Sequence, residues 1–110
     1  MKVLHINSLN KKGGAWIIIK SLSKSLENKD VEPYFIDGSE ILNTEIFGYK
    51  KLMRIFNQYL FMDYISPLGR YLICRKIKEI KPDIIHLHNI HGGFFPTGLL
   101  PELQKFAPVV

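Results

Sequence analysis

Cysteine is nearly absent from this sequence. Cys74 stands alone, so no intrachain disulfide can form and the fold must be held by its core. That usage fits a reducing, cytoplasmic compartment. Long apolar runs are lacking too: the longest is a few residues, too short for a membrane-spanning helix. Lys2 is followed by neither the apolar stretch nor the small-residue cleavage site of a signal peptide. There is no internal repeat and no low-complexity tract. The dinucleotide fingerprint G-x-G-x-x-G is missing, and so is the phosphate-binding loop G-x-x-x-x-G-K-[ST], which disfavours NAD and Walker-type ATP binding.

What remains is ordinary globular material. The 110 residues are one domain's worth, and 46% hydrophobic with 23% charged residues can build a core. The net charge of +5 is unevenly placed. Residues 48–81 hold eight basic side chains against Asp63 and Glu79, so the rest of the chain is close to neutral. Phe56, Tyr59, Phe61, Tyr64 and Tyr71 are interleaved with that charge. A solvated basic face on core-packed helices explains the pattern; so does peripheral contact with an anionic membrane through residues 48–81. Nucleic acid is not expected, because no binding motif accompanies the charge.

The chain opens "MKVLHIN", whose Val3, Leu4 and Ile6 read as a buried strand with His5 as a satisfied interior histidine. After "SLNKKGGAW", Ala15, Ile18, Ile19, Leu22 and Leu26 recur at helical spacing, so an amphipathic helix starts near the glycines. "VEPYFID" is a second strand closed by Asp37-Gly38, and Pro33 makes it an outer one. Residues 39–47 are ambiguous, and a helical pattern resumes near Gly48. Ser66-Pro67 opens a further helix that stops before Lys81-Pro82. "DIIHLHN" is a third strand, followed by a glycine loop, a short helix near Thr97 to Lys105, and "APVV", where a fourth strand begins.

Strands alternating with helices predict an α/β fold: a parallel sheet with helices on both faces. Right-handed crossovers and an outer second strand place the first and third strands side by side. Their carboxyl ends then flank a switch point, where open sheets of this kind bind ligands. Gly13-Gly14 follows the first strand and Gly92-Gly93 the third, so both glycine pairs fall on one rim. Either pair can simply shape a turn. Together they allow backbone donors to approach an anion, and a helix N-terminus begins at the first pair.

The histidines of "KPDIIHLHNIHGG" admit three readings. His86 and His88, two apart on a strand, share a face, and with His91 they could hold Zn²⁺ for a small hydrolase. Against this, no Asp or Glu lies between Asp83 and Glu102, and by ligand count no metal is expected. Alternatively His86 packs in the sheet while His88 and His91 reach the crevice to hydrogen-bond a hydroxyl or phosphate. Purely structural roles for all three are the third reading.

Taken together, "MKVLHIN…GGA" and "KPDIIHLHNIHGGFF…LLPEL…PVV" resemble the start of family 4 glycosyltransferases, especially bacterial members that build surface polysaccharides. The resemblance covers both ends of the chain well and residues 39–80 loosely. It implies a retaining enzyme of GT-B architecture, with two Rossmann-like domains facing across a cleft. This chain would be the truncated, acceptor-side N-terminal domain, 1–110, without the donor domain and its paired glutamates, and inactive alone. The resemblance further implies that Gly13 and Gly14 approach the phosphates of a nucleotide-sugar donor. His88, Asn89, His91, Gly92 and Gly93 would line the side that takes a glycan or lipid-linked acceptor. It implies no metal and no cofactor beyond the donor substrate. The cysteine usage and the basic segment, read separately, fit a place in the cytoplasm at the inner face of the membrane. Trp16 and Ile17 stand where the family usually has smaller or more polar residues. A different class of function also fits: a non-catalytic binding module, or a homo-oligomer formed through an exposed sheet edge.

Overall fold

A computed structural model describes residues 1–7, 14–27, 29–37, 67–90 and 95–110. The ambiguous segment 39–47, the helix expected from Gly48 and the loop carrying His91, Gly92 and Gly93 lie outside the described residues.

The chain is α/β, with a parallel three-stranded sheet flanked by helices. Strand β1 (Lys2–Asn7) lies between β2 (Glu32–Asp37) and β3 (Ile84–His88), in the order β2-β1-β3. Both pairings are parallel, as the crossover argument requires. Pro33 is accordingly on a strand that, among the described residues, pairs on one side only. Beyond β3, Ile85 bridges Val109 in parallel, and Leu87 donates its amide to the Val110 carbonyl at 2.9 Å. The fourth strand expected from "APVV" therefore does begin there.

Alternation along the strands sends side chains to two faces. Leu4, Ile6, Ile36 and Ile85 form a core with Ile73 and Ile77 of helix α2 (Pro67–Ile80). Leu99, Leu103 and Ala107 close it from the C-terminal segment, a single 3-10 turn (Thr97–Leu99) running into helix α3 (Leu100–Leu103). An Arg70–Glu102 ion pair links α2 to α3. Helix α1 (Gly14–Glu27) covers the opposite face, where Trp16 sets its ring edge-on to Phe35 of β2.

The helical stripe differs in phase from the one expected. Ile18 is 64% exposed, while Ile19 and Ser23 are buried. Four consecutive large apolar residues, Trp16 to Ile19, fit more than one helical face, so spacing alone could not choose. Ser23 is tolerated inside because its hydroxyl donates to the Ile19 carbonyl at 2.8 Å.

Both α/β crossovers end in a left-handed residue that is not glycine. Asp30 (φ 56°) follows α1, and Lys81 (φ 52°) follows α2. At Lys81 the amide donates to the Ile77 carbonyl at 2.8 Å, satisfying one of the helix's last acceptors. The Lys2 amide then donates to Asp83 Oδ2 at 2.7 Å while the Asp83 amide donates to the Lys2 carbonyl at 2.8 Å, which pins the amino ends of β1 and β3 together.

Candidate functional site

The three strands end in one register row. Asp37 of β2, Asn7 of β1 and His88 of β3 are aligned across the sheet, each the last residue of its strand. One pleat earlier stand Phe35, His5 and His86, also in register. All six are on the face covered by α1. The carboxyl rim of that face is thus polar, whereas the opposite face carries the core residues Leu4, Ile6, Ile36 and Ile85.

The histidines converge. His5 is 1% exposed; His86 and His88 are half-buried. His5 Nδ1 and His88 Nε2 lie 3.0 Å apart, so one of these nitrogens carries a proton that the other accepts. The His86 and His88 rings are 4.1 Å apart between centroids, and both stand just over 5 Å from the His5 ring. Phe35 stacks on His5 at 5.5 Å and fixes the plane of its ring. One ligating nitrogen from each histidine falls within 4.8 Å of the other two.

Burial dominates the electrostatics. It pushes the His5 pKa down to about 4, with the neighbouring His88 and His86 adding to the effect. Burial also lowers His88, helped by His86. His5 and His88 are therefore neutral at physiological pH, and each keeps one lone pair. The expected satisfied interior histidine is only half that: among the described residues, His5 Nε2 is buried and has no hydrogen-bond partner. Cys74 contributes nothing here. It packs against the core on the other side of the sheet, and burial raises its thiol pKa, which makes it a poor nucleophile.

Of the residues singled out from sequence, His88 is on the rim and in contact with His5. With Nε2 turned towards His5, only Nδ1 of His88 is left for another ligand. Asn89 follows immediately and is exposed. Gly14 is the first residue of α1, and open space lies where a Cβ would be. Gly13, His91, Gly92 and Gly93 lie outside the described residues. His86 is half-buried in β3, opposite His5 and beside His88. In the basic segment, α2 spends part of its charge internally: Arg70 pairs with Glu102, and Arg75 pairs with Glu79 at 2.9 Å.

Sequence reasoning passed over His5, Asn7 and Asp37 as site residues. The available signal was the position of Asn7 and Asp37 as the last polar residues of their strands. No local signal marks His5, whose partner His88 is 83 residues away. The expectation that no metal is held rested on a ligand count that omitted His5. Comparison of the chain with family models, with curated proteins and with solved structures returned no match.

Proposed function

We propose that this chain is the acceptor-side half of a glycosyltransferase that moves a sugar from a nucleotide-sugar donor to a glycan or lipid-linked acceptor. The observation that carries the reading is the adjacency of β1 and β3 in parallel, with Asn7 opposite His88 at their carboxyl ends. A switch point in an open α/β sheet is where such folds take ligands. Helix α1 begins at Gly14, after β1, so its free N–H groups are available to a phosphate at that rim. The motif resemblance in "PDIIHLHNIHGG" supplies the reaction class. In this reading Asn89 and His88 Nδ1 hydrogen-bond acceptor hydroxyls, and a donor domain supplies the remaining contacts.

Amide and side-chain NMR shifts of the chain titrated with glycan and polyprenyl-phosphate-linked sugar acceptors test this. Shifts are expected at Asn7, His88 and Asn89, with at least tenfold weaker binding in Asn89→Ala. No shift at the rim with any acceptor overturns the acceptor assignment. Sugar transfer by the chain alone, assayed with common sugar nucleotides, overturns its assignment as half of an enzyme.

A further inference from the structure

We infer that His5, His86 and His88 form a binding site for a borderline divalent transition-metal ion, with Zn²⁺ the best match. The inference does not rest on the glycosyl-transfer reading. It rests on the convergence of three imidazoles from two neighbouring strands at one depth of one face.

The donor set selects the ion. Three neutral nitrogens with no carboxylate and no thiolate suit zinc, copper, nickel or cobalt; magnesium and calcium require oxygen ligands. Zn–N bonds of about 2.0–2.1 Å place the nitrogens of a tetrahedral site about 3.3–3.4 Å apart. The His5–His88 pair, at 3.0 Å, already stands near that spacing. The set as a whole spans up to 4.8 Å, so the remaining closure is a side-chain rotation. Because His86 and His88 are only half-buried, they have room to make it. The ion would sit between the facing nitrogens of His5 and His88, the proton they share moving to the other nitrogen of its own ring, and a fourth position would stay open.

The surrounding side chains already hold part of the site in place. His5 is oriented by Phe35, which in turn is braced by Trp16. An anion is the wrong guest, since neutral imidazoles bring no positive charge to bind it.

The ligand set differs from the one that spacing along the chain offers, His86, His88 and His91, and the two can be separated experimentally. The full chain is stripped with a chelator, and ZnCl₂ is added with melting temperature, bound-metal analysis and Co²⁺ absorption as readouts. One equivalent of zinc, a melting temperature raised by several degrees, and the intense visible bands of tetrahedral Co²⁺ are expected. MgCl₂ should do nothing. His86→Ala and His88→Ala should each weaken binding at least tenfold, and His91→Ala should leave it unchanged. His5→Ala empties a buried position, so His5 is instead followed in the wild-type chain, where zinc should shift its ring ¹⁵N resonances together with those of His86 and His88. Substoichiometric zinc, equal stabilisation by magnesium, unchanged binding in His86→Ala, loss of binding in His91→Ala, or an unmoved His5 ring would each overturn the assignment.

Discussion

Strand β1 is one stretch of six residues with two different surroundings. Leu4 and Ile6 point into an apolar core shared with α2 and α3, and both are completely buried. His5 and Asn7, between and after them, are almost as buried, yet they stand among histidines, an aspartate and an aromatic ring. Burial alone therefore does not say what a position is for. On the first face, removing water from methylene groups stabilises the fold, at roughly 1.5–3 kcal/mol for each large side chain. On the second face, the same removal of water costs free energy and alters chemistry, holding His5 neutral well below its usual pKa and lowering that of His88. A pleat thus lets one strand both stabilise the sheet and present a reactive edge.

The sharpest way to break this contrast is to empty the apolar face. Leu4→Ala should destabilise the chain by about 2–5 kcal/mol, read from the midpoint of urea unfolding, since the cavity lies at the centre of the sheet. A loss under about 1 kcal/mol would mean that the core described here does not hold the fold.

The histidine face is probed by pH, in metal-free chain. The folded-state pKa of His5, about 4, is below the ordinary 6.5. Between those values the unfolded chain binds a proton that the folded chain refuses. Stability is therefore full above pH 6.5 and falls as the pH drops towards 4, by roughly 2–3 kcal/mol from this group. His5→Leu, which makes both faces apolar at that position, should flatten the slope of stability against pH in this window. An unchanged slope would remove the electrostatic half of the contrast.

The smallest expected effect comes from a contact that serves both faces equally. Asp83→Ala deletes the acceptor for the Lys2 amide at the amino rim. It should cost about 0.5–1.5 kcal/mol in the same urea assay and leave the pH slope intact. A change in that slope would show that the two rims are coupled.

Much of the fold was legible because its signals are local. Pro67 opens α2, Pro33 sits on a one-sided strand, and the Val-Leu-His-Ile run of β1 is what a buried strand looks like. The phase of α1 was not legible. Four large apolar residues in a row leave its buried stripe undetermined until the sheet supplies a surface, and Ser23 rather than Ile18 then goes inside. The candidate site divides the same way. His86 and His88 announce a shared face by their spacing of two. His5 announces only a buried strand, and nothing near it in the chain indicates the imidazoles it will meet.

By itself, then, the sequence determined the alternation of strands and helices, the parallel pairing that follows from it, and the two-residue period that separates the faces of β1. These depend on neighbours along the chain and on steric rules that hold everywhere. Tertiary structure alone decided that His5 faces His86 in register and reaches His88, and that Asp37, Asn7 and His88 share one row. Register between strands some eighty residues apart is set by how the whole core packs. A shift of one residue would have sent the histidines of β3 to the apolar face and dispersed the cluster.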